Sequence, residues 1–295
     1  MHKLKLRKYS QLYLMIIPTL LYFGIFSIYP VFQGLYMSTQ KPLFLGGGVY
    51  VGLQNYREVL NDSLFWRALT NTLVLSGGII VAGVVLPFIV SIALHELPFE
   101  RLRKVTQTII YTPHLFSWVV VGGIWIQLLS PDGGLVNELI ALVGLNKVHF
   151  LADTSWIKSV LVFLATWKGL GYNAVIYYAA LSSLDPELYE AATVDGATRW
   201  QKICKLTVPL LMPTVKVVFL LSAVGALRIF DQVFILRNAA TARYIDVLMT
   251  YVYDLGMRQF RLGHSTAASF LITVVGLMTV GLLRKAMNID EINAS

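Results

Sequence analysis

Several side chains that water would ordinarily solvate sit inside long apolar stretches. Lys168 and Asn173 lie in one such stretch; Lys216, Arg228, Asp231 and Gln232 lie in another. Exposing such groups to lipid costs several kcal/mol, so each is a functional candidate. Lys216 is near a stretch end, where its stem can carry the ammonium out to the interface. Arg228 and Asp231 are three apart. On a continuous helix they share a face, where they either bridge each other or face a polar solute. Trp167 and Tyr172 offer aromatic platforms of the kind sugar rings pack on, or else serve as packing and interfacial anchors. The five histidines, His2, His95, His114, His149 and His264, have no metal-ligand spacing, and Cys204 is the single cysteine. That excludes an internal disulfide framework and a multi-cysteine metal site. No G-x-x-x-x-G-K-[ST] phosphate loop occurs, and no nucleophile or paired-carboxylate set stands out. The chemistry on offer is recognition of a polar molecule within a membrane, with no catalytic residues and no metal.

The elements that must hold these residues follow from composition. Of 295 residues, 56% are hydrophobic and 14% charged, with a mean hydropathy of +0.66. A soluble domain carries about 25% charged residues, so this chain lacks the charge to cover a water-facing surface. Six runs reach the roughly 20 apolar residues that a spanning helix needs: about 12–36, 70–94, 105–129, 156–184, 207–236 and 265–283. The sequence therefore predicts an all-α, polytopic membrane protein of six transmembrane helices, forming one domain over 1–295. An even number of spans puts both termini on one side. With the termini inside, the inner segments hold 12 Lys or Arg, including Lys3, Lys5, Arg7 and Lys8, against nine in longer outer segments. The density is about twofold higher inside, which places both termini in the cytoplasm. The net charge of +8 is explained by this topology and by anionic lipid, with no nucleic-acid partner. The outer loops around Gly46–Gly48, Pro131–Gly134 and Asn238–Arg243 read as turns.

The cytoplasmic loop between the fourth and fifth runs, 185–206, has more internal order than a connector needs. Asp185 suits an N-cap and Pro186 the first helical position. Glu187 and Glu190 place negative charge near that N-terminus, and Gly196 provides a stop or sharp bend. A short capped helix, a glycine corner, a second basic turn and re-entry into the bilayer follow. Such an element is stiff and exposed, suited to seating in a partner's groove.

The same loop resembles a known family. Glu190–Ala191–Ala192, then Gly196, then Leu206–Thr207–Val208–Pro209 is similar to the EAA pattern E-A-A-x3-G-x9-I-x-L-P of bacterial ABC importer permeases, with Leu206 and Val208 as apolar swaps. The stretches Trp167–Asn173, Leu184–Tyr189, Val51–Tyr56 and Leu262–Ala268 resemble the carbohydrate, MalF/UgpA-like subfamily. The chain departs where Asn238–Ala239–Ala240–Thr241 replaces the Gly-Gly-Pro often found after the fifth span. The resemblance implies a MetI-like permease fold and a bacterial inner-membrane location. It also implies a second homologous permease, two ATPase subunits that carry ATP and Mg, and an extracytoplasmic solute-binding protein. Glu187, Tyr189, Glu190, Ala191, Ala192, Asp195, Gly196 and Arg199 would then couple to the ATPase. Leu170, Gly171, Tyr172, Ser222, Gly225, Ala226 and Arg228 would line the solute pathway by position, joined by Trp167, Lys168, Asn173, Asp231 and Gln232.

The expected function is half of the pathway of an ATP-driven importer of sugars or oligosaccharides. Lys168 and Arg228 also suit an anionic solute, such as a uronate oligosaccharide or glycerol phosphate. An ion-driven carrier is the other alternative; it would need an intramembrane carboxylate relay, for which the spans offer mainly Asp231.

Overall fold

The computed structural model describes residues 10–42, 47–226 and 228–287. The basic N-terminal cluster, His2, the loop glycine Gly46 and the C-terminal residues from 288 on, which carry part of the topology argument, lie outside the described residues. In chain order the elements are α1 (Ser10–Phe23), α2 (Tyr29–Ser38), β1 (Gln40–Pro42), β2 (Gly48–Tyr50), α3 (Gln54–Asn61), α4 (Ser63–His95), α5 (Glu100–Leu115), α6 (Trp118–Leu128), α7 (Leu135–Leu142) and α8 (Ile157–Ser182). They continue with α9 (Pro186–Val194), α10 (Arg199–Lys202), α11 (Val208–Ala226), α12 (Asp231–Leu236), α13 (Ala242–Ile245), α14 (Leu248–Tyr253) and α15 (Leu262–Ala286).

Among the described residues, five helical stretches are long and apolar enough to cross a membrane: Tyr13–Ser38, Ser63–His95, Ile157–Ser182, Arg199–Ala226 and Leu262–Lys285. A sixth is the pair α5 and α6, bent by 102°. Two of these stretches widen into a π-helical turn just before a proline. Gly24–Ile28 precedes Pro30, and Ile203–Thr207 precedes Pro209. A proline lacks the N–H that the carbonyl four residues earlier needs, and a wider turn absorbs the mismatch.

Two expected spans are not continuous helices. The third breaks at Phe116 and Ser117, both in extended conformation, with Pro113 in the last turn of α5 and the Ser117 hydroxyl accepting from Val120 N–H at 3.4 Å. The fifth stops at Ala226, and α12 begins only at Asp231. Arg228 and Asp231 therefore do not share the face of one helix, and among the described residues they form no ion pair. The outer loops are also more ordered than turns. Gly133 does take a positive φ of 72°, but α3, α7, α13, α14 and an antiparallel hairpin pairing Gln40 with Tyr50 fill these segments.

The chain divides into two units. The larger comprises Leu64–Tyr251 with Val274–Ser295. Its core gathers Leu75 from α4, Leu161 and Leu164 from α8, Val233 from α12 and Ile245 and Val247 from the α13 region. Polar side chains pin the last outer segment onto α4: Asn71 Nδ2 donates to the carbonyls of Arg243 and Asp246, and Leu248 N–H donates to Thr72 Oγ1 at 2.9 Å.

The smaller unit comprises Met1–Ser63 with Val252–Thr273. Buried Asn55 donates to the carbonyls of Ser38 and Gln40, both at 2.8 Å, fixing the exit of α2 to α3. Glu58 receives His264 Nε2 at 2.5 Å and Gln54 Nε2 at 2.8 Å, with Arg261 at 3.6 Å, so α3 is tied to the start of α15. The hydrogen bonds from His264 and Gln54 hold the Glu58 carboxyl below the ordinary carboxylate range. A depressed carboxylate contributes stability that is complete above its unfolded pKa, about 4.3, and is lost as the pH falls through the folded value. We expect wild-type protein in detergent to melt above Glu58→Gln near neutral pH, with the difference shrinking as the pH drops below about 4.3. A pH-independent difference would mean that Glu58 stabilises by packing alone.

Candidate functional site

Two sites emerge in the larger unit, one at each end of α11. The first is the segment between α8 and α11. Asp185 caps α9 by accepting from Glu187 N–H at 2.9 Å, with Pro186 at the first helical position. The C-terminus closes in a double bond: Gly196 N–H donates to the Thr193 carbonyl and Ala197 N–H to the Ala192 carbonyl. This closure needs a left-handed residue between them, and Gly196 has a φ of +76°. Thr198 then opens α10 through a reciprocal capping box with Gln201. Two side-chain ties brace the corner: Lys202 Nζ to Thr193 Oγ1 at 3.1 Å and Tyr189 to Thr207 through their hydroxyls at 3.0 Å. Glu190, Tyr189, Thr193 and Lys202 edge a cavity of about 430 Å³ that reaches His95 at the end of α4.

No residue of α9 or α10 is buried. Glu187, Ala191, Asp195 and Arg199 point into solvent, Val194 is 88% exposed and Trp200 72% exposed. A segment with both ends capped and apolar groups outward is built to meet something else. The Thr198–Gln201 box was legible as T-x-x-Q; the Lys202–Thr193 tie was not, because it joins residues across the glycine corner.

The second site is a cavity of about 380 Å³ at the far end of α11. Its walls include Tyr172 and Asn173 from α8, Ser222, Gly225 and Ala226 from α11, and Arg228, Asp231 and Gln232 from the break into α12. Eight of the expected pathway residues therefore come together. Gly83 of α4, Trp118 of α6 and Phe230 are among the walls that were not expected.

The helix break makes this site. The Ala226 carbonyl, released where α11 stops, receives the Ser76 hydroxyl at 2.6 Å. Asn173 Nδ2 donates to the Gly83 carbonyl at 2.9 Å. That carbonyl would ordinarily pair with the N–H four residues on, which is Pro87 and has none. Proline four residues after Gly83 was a readable signal, but the identity of its partner was not.

The remaining expected residues lie elsewhere. Trp167 packs edge-on against Trp125, with ring centroids 5.5 Å apart, and with Leu170 faces an apolar groove between α4 and α8. Lys168 donates to the His114 carbonyl at 3.0 Å and lies over the Trp118 ring. Gly171 is buried where α8 meets α5, and a Cβ there would collide with the Ile110 carbonyl and the Tyr111 backbone.

Residues 83–288 match the family described as the binding-protein-dependent transport system inner membrane component. The chain is 34% identical over 285 residues to the polygalacturonan/rhamnogalacturonan transport system permease protein YteP of Bacillus subtilis, covering 96% of this chain and 89% of that one. It is 29% identical to the lactose transport system permease protein LacF of Rhizobium radiobacter over 91% of this chain and 90% of that one. A chain of the bacterial alginate ABC transporter in complex with an alginate pentasaccharide-bound periplasmic protein superposes with a TM-score of 0.88. The two are 33% identical, covering 95% of this chain and 94% of that one.

Gly171 and Gly225 separate packing from cavity lining. Gly171→Ala should lower thermal stability by about 1–3 kcal/mol, because neither helix backbone can yield cheaply. At Gly225 an added methyl group would meet nothing within 4 Å, so Gly225→Ala should stay within about 0.5 kcal/mol of wild type. Thermal unfolding of both variants in the same detergent checks this; equal losses would contradict it.

Proposed function

The chain belongs to the family of binding-protein-dependent transport system inner membrane components, and from that premise we propose that it is the permease subunit of an ATP-driven importer of sugars or oligosaccharides. In this reading it supplies half of the translocation pathway. Membership of this family sets aside the ion-driven carrier. The observation that carries the proposal is the continuity of α11. Its cytoplasmic end grows out of the braced α9–α10 corner, and its other end lines the polar cavity. One stiff helix thereby joins an exposed docking element to a recognition site.

Relatives named for polygalacturonan, rhamnogalacturonan and lactose support the solute class. So does the chemistry of the cavity: aromatic faces at Tyr172 and Phe230, an amide at Asn173, a hydroxyl at Ser222 and charges at Arg228 and Asp231. A few directed polar groups among apolar walls suit a molecule with apolar C–H faces and a rim of hydroxyls. The chain has no phosphate-binding loop. ATP and Mg therefore belong to two partner ATPase subunits, on which α9 docks through Glu187, Glu190, Ala191 and Asp195. A second permease completes the pathway, and an extracytoplasmic protein delivers the solute. The basic asymmetry of the loops supports a topology with both termini in the cytoplasm, and the family's description supports a location in a bacterial inner membrane.

The test is the reconstituted complex with Gly196→Asp. A left-handed conformation costs a non-glycine residue about 1–2 kcal/mol, and losing it redirects α9 without touching the cavity. Uptake should fall by about tenfold while ATP hydrolysis continues, so that the two are uncoupled. Arg228→Ala or Tyr172→Ala should instead leave assembly intact and change solute affinity. Normal rates of both hydrolysis and uptake in Gly196→Asp would defeat the coupling assignment.

A further inference from the structure

Lys168 and Tyr172, one turn apart on α8, hold the same residue of the neighbouring helix. Lys168 Nζ donates to the His114 carbonyl at 3.0 Å. The Tyr172 ring stacks on the His114 imidazole, with centroids 4.8 Å apart and planes 18° apart. Between them Gly171 brings α8 against the backbone of Ile110 and Tyr111. His114 is the penultimate residue of α5, just before the 102° bend into α6. In an unbroken helix its carbonyl would accept from the N–H of residue 118. The bend at Phe116 and Ser117 removes that bond, and the ammonium of Lys168 replaces it. The same ammonium sits 5.5 Å from the ring centroid of Trp118, the first residue of α6. Lys168 thus touches the last turn before the bend and the first residue after it.

Two of these groups, Tyr172 and Trp118, are walls of the polar cavity. Lys168 is not among its walls. We propose that Lys168 and Tyr172 form a two-point clasp on His114 that fixes the bend between α5 and α6 and so sets the position of the Trp118 wall. Lys168 is then a positioning residue: it shapes the cavity through Trp118 and the bend, and does not serve as a ligand for a negatively charged solute. The inference rests on the cavity being the solute site, and its test separates the two claims.

The test uses the assembled transporter in nanodiscs, with Cys204→Ser and spin labels at Ile109→Cys on α5 and Ile126→Cys on α6, both exposed positions. The clasp predicts one narrow label distance with Lys168. In Lys168→Met the distribution should broaden and shift towards the roughly 25 Å of a straight helix over this stretch. Lys168→Arg, which keeps both the donor and the cation over Trp118, should restore it. Uptake of maltotetraose and of tetragalacturonate is measured in parallel. Loss of the clasp should raise KM for each sugar that is imported by the same factor, about tenfold, with Vmax little changed. An unaltered distance distribution in Lys168→Met would overturn the clasp. A KM raised for tetragalacturonate alone would overturn the positioning role and make Lys168 an anion ligand. If wild type imported neither sugar, the assigned solute class would fall, and the label distances would still decide the clasp.

Discussion

A carbonyl released from a helix inside a bilayer has no water to accept from, so another donor must reach it. The larger unit is organised by that requirement. Where Pro87 withholds its N–H, Asn173 supplies one to Gly83. Where α5 gives way to α6, Lys168 supplies one to His114. Where α11 ends, the Ser76 hydroxyl closes the Ala226 carbonyl. Each donor comes from a different helix than the carbonyl it satisfies, so every repair is also a tertiary tie. Such ties cost little to make and much to remove, because the unpaired carbonyl would stay buried.

The breaks that need repair are also what create the cavity. A continuous fifth span would carry Arg228 and Asp231 along one helical face. Its interruption between Ala226 and Asp231 lets both reach a common space with Tyr172, Asn173 and Ser222. Irregular backbone at membrane depth is tolerated where it lines a polar cavity, and this chain places it there. At the other end of α11 the corner is capped locally: Asp185, Gly196 and Thr198 each satisfy or redirect backbone groups. One end of the helix thus lines a polar cavity and the other leaves a locally capped corner.

Local chemistry was legible in the amino-acid order, and non-local chemistry was not. Four of the six apolar runs, the Asp185–Pro186 helix start and the Gly196 corner are written in consecutive residues, and the structure has them where the sequence puts them. The bend at Phe116–Ser117 contains neither glycine nor proline, and apolar periodicity runs straight through it. The tie from Lys168 to His114 was not legible, because its partner, a backbone carbonyl 54 positions away, has no sequence signature. The close approach of Gly171 was hidden for the same reason, since the backbone it meets belongs to α5. The helices in the outer loops were hidden by shortness: α13 has four residues and α14 six, too few for a period to register.

The central claim is that the α9–α10 corner is the face on which an ATPase seats. Val194, at the end of α9 and 88% exposed, offers a direct probe. A photoreactive cross-linker attached at Val194→Cys in the Cys204→Ser background should capture the ATPase subunit in membranes from cells expressing the whole complex, while one attached at Met278→Cys, exposed on the apolar helix α15, should not. Capture of the ATPase from neither position, or labelling of Val194→Cys by a membrane-impermeant thiol reagent added outside intact cells, would contradict the account.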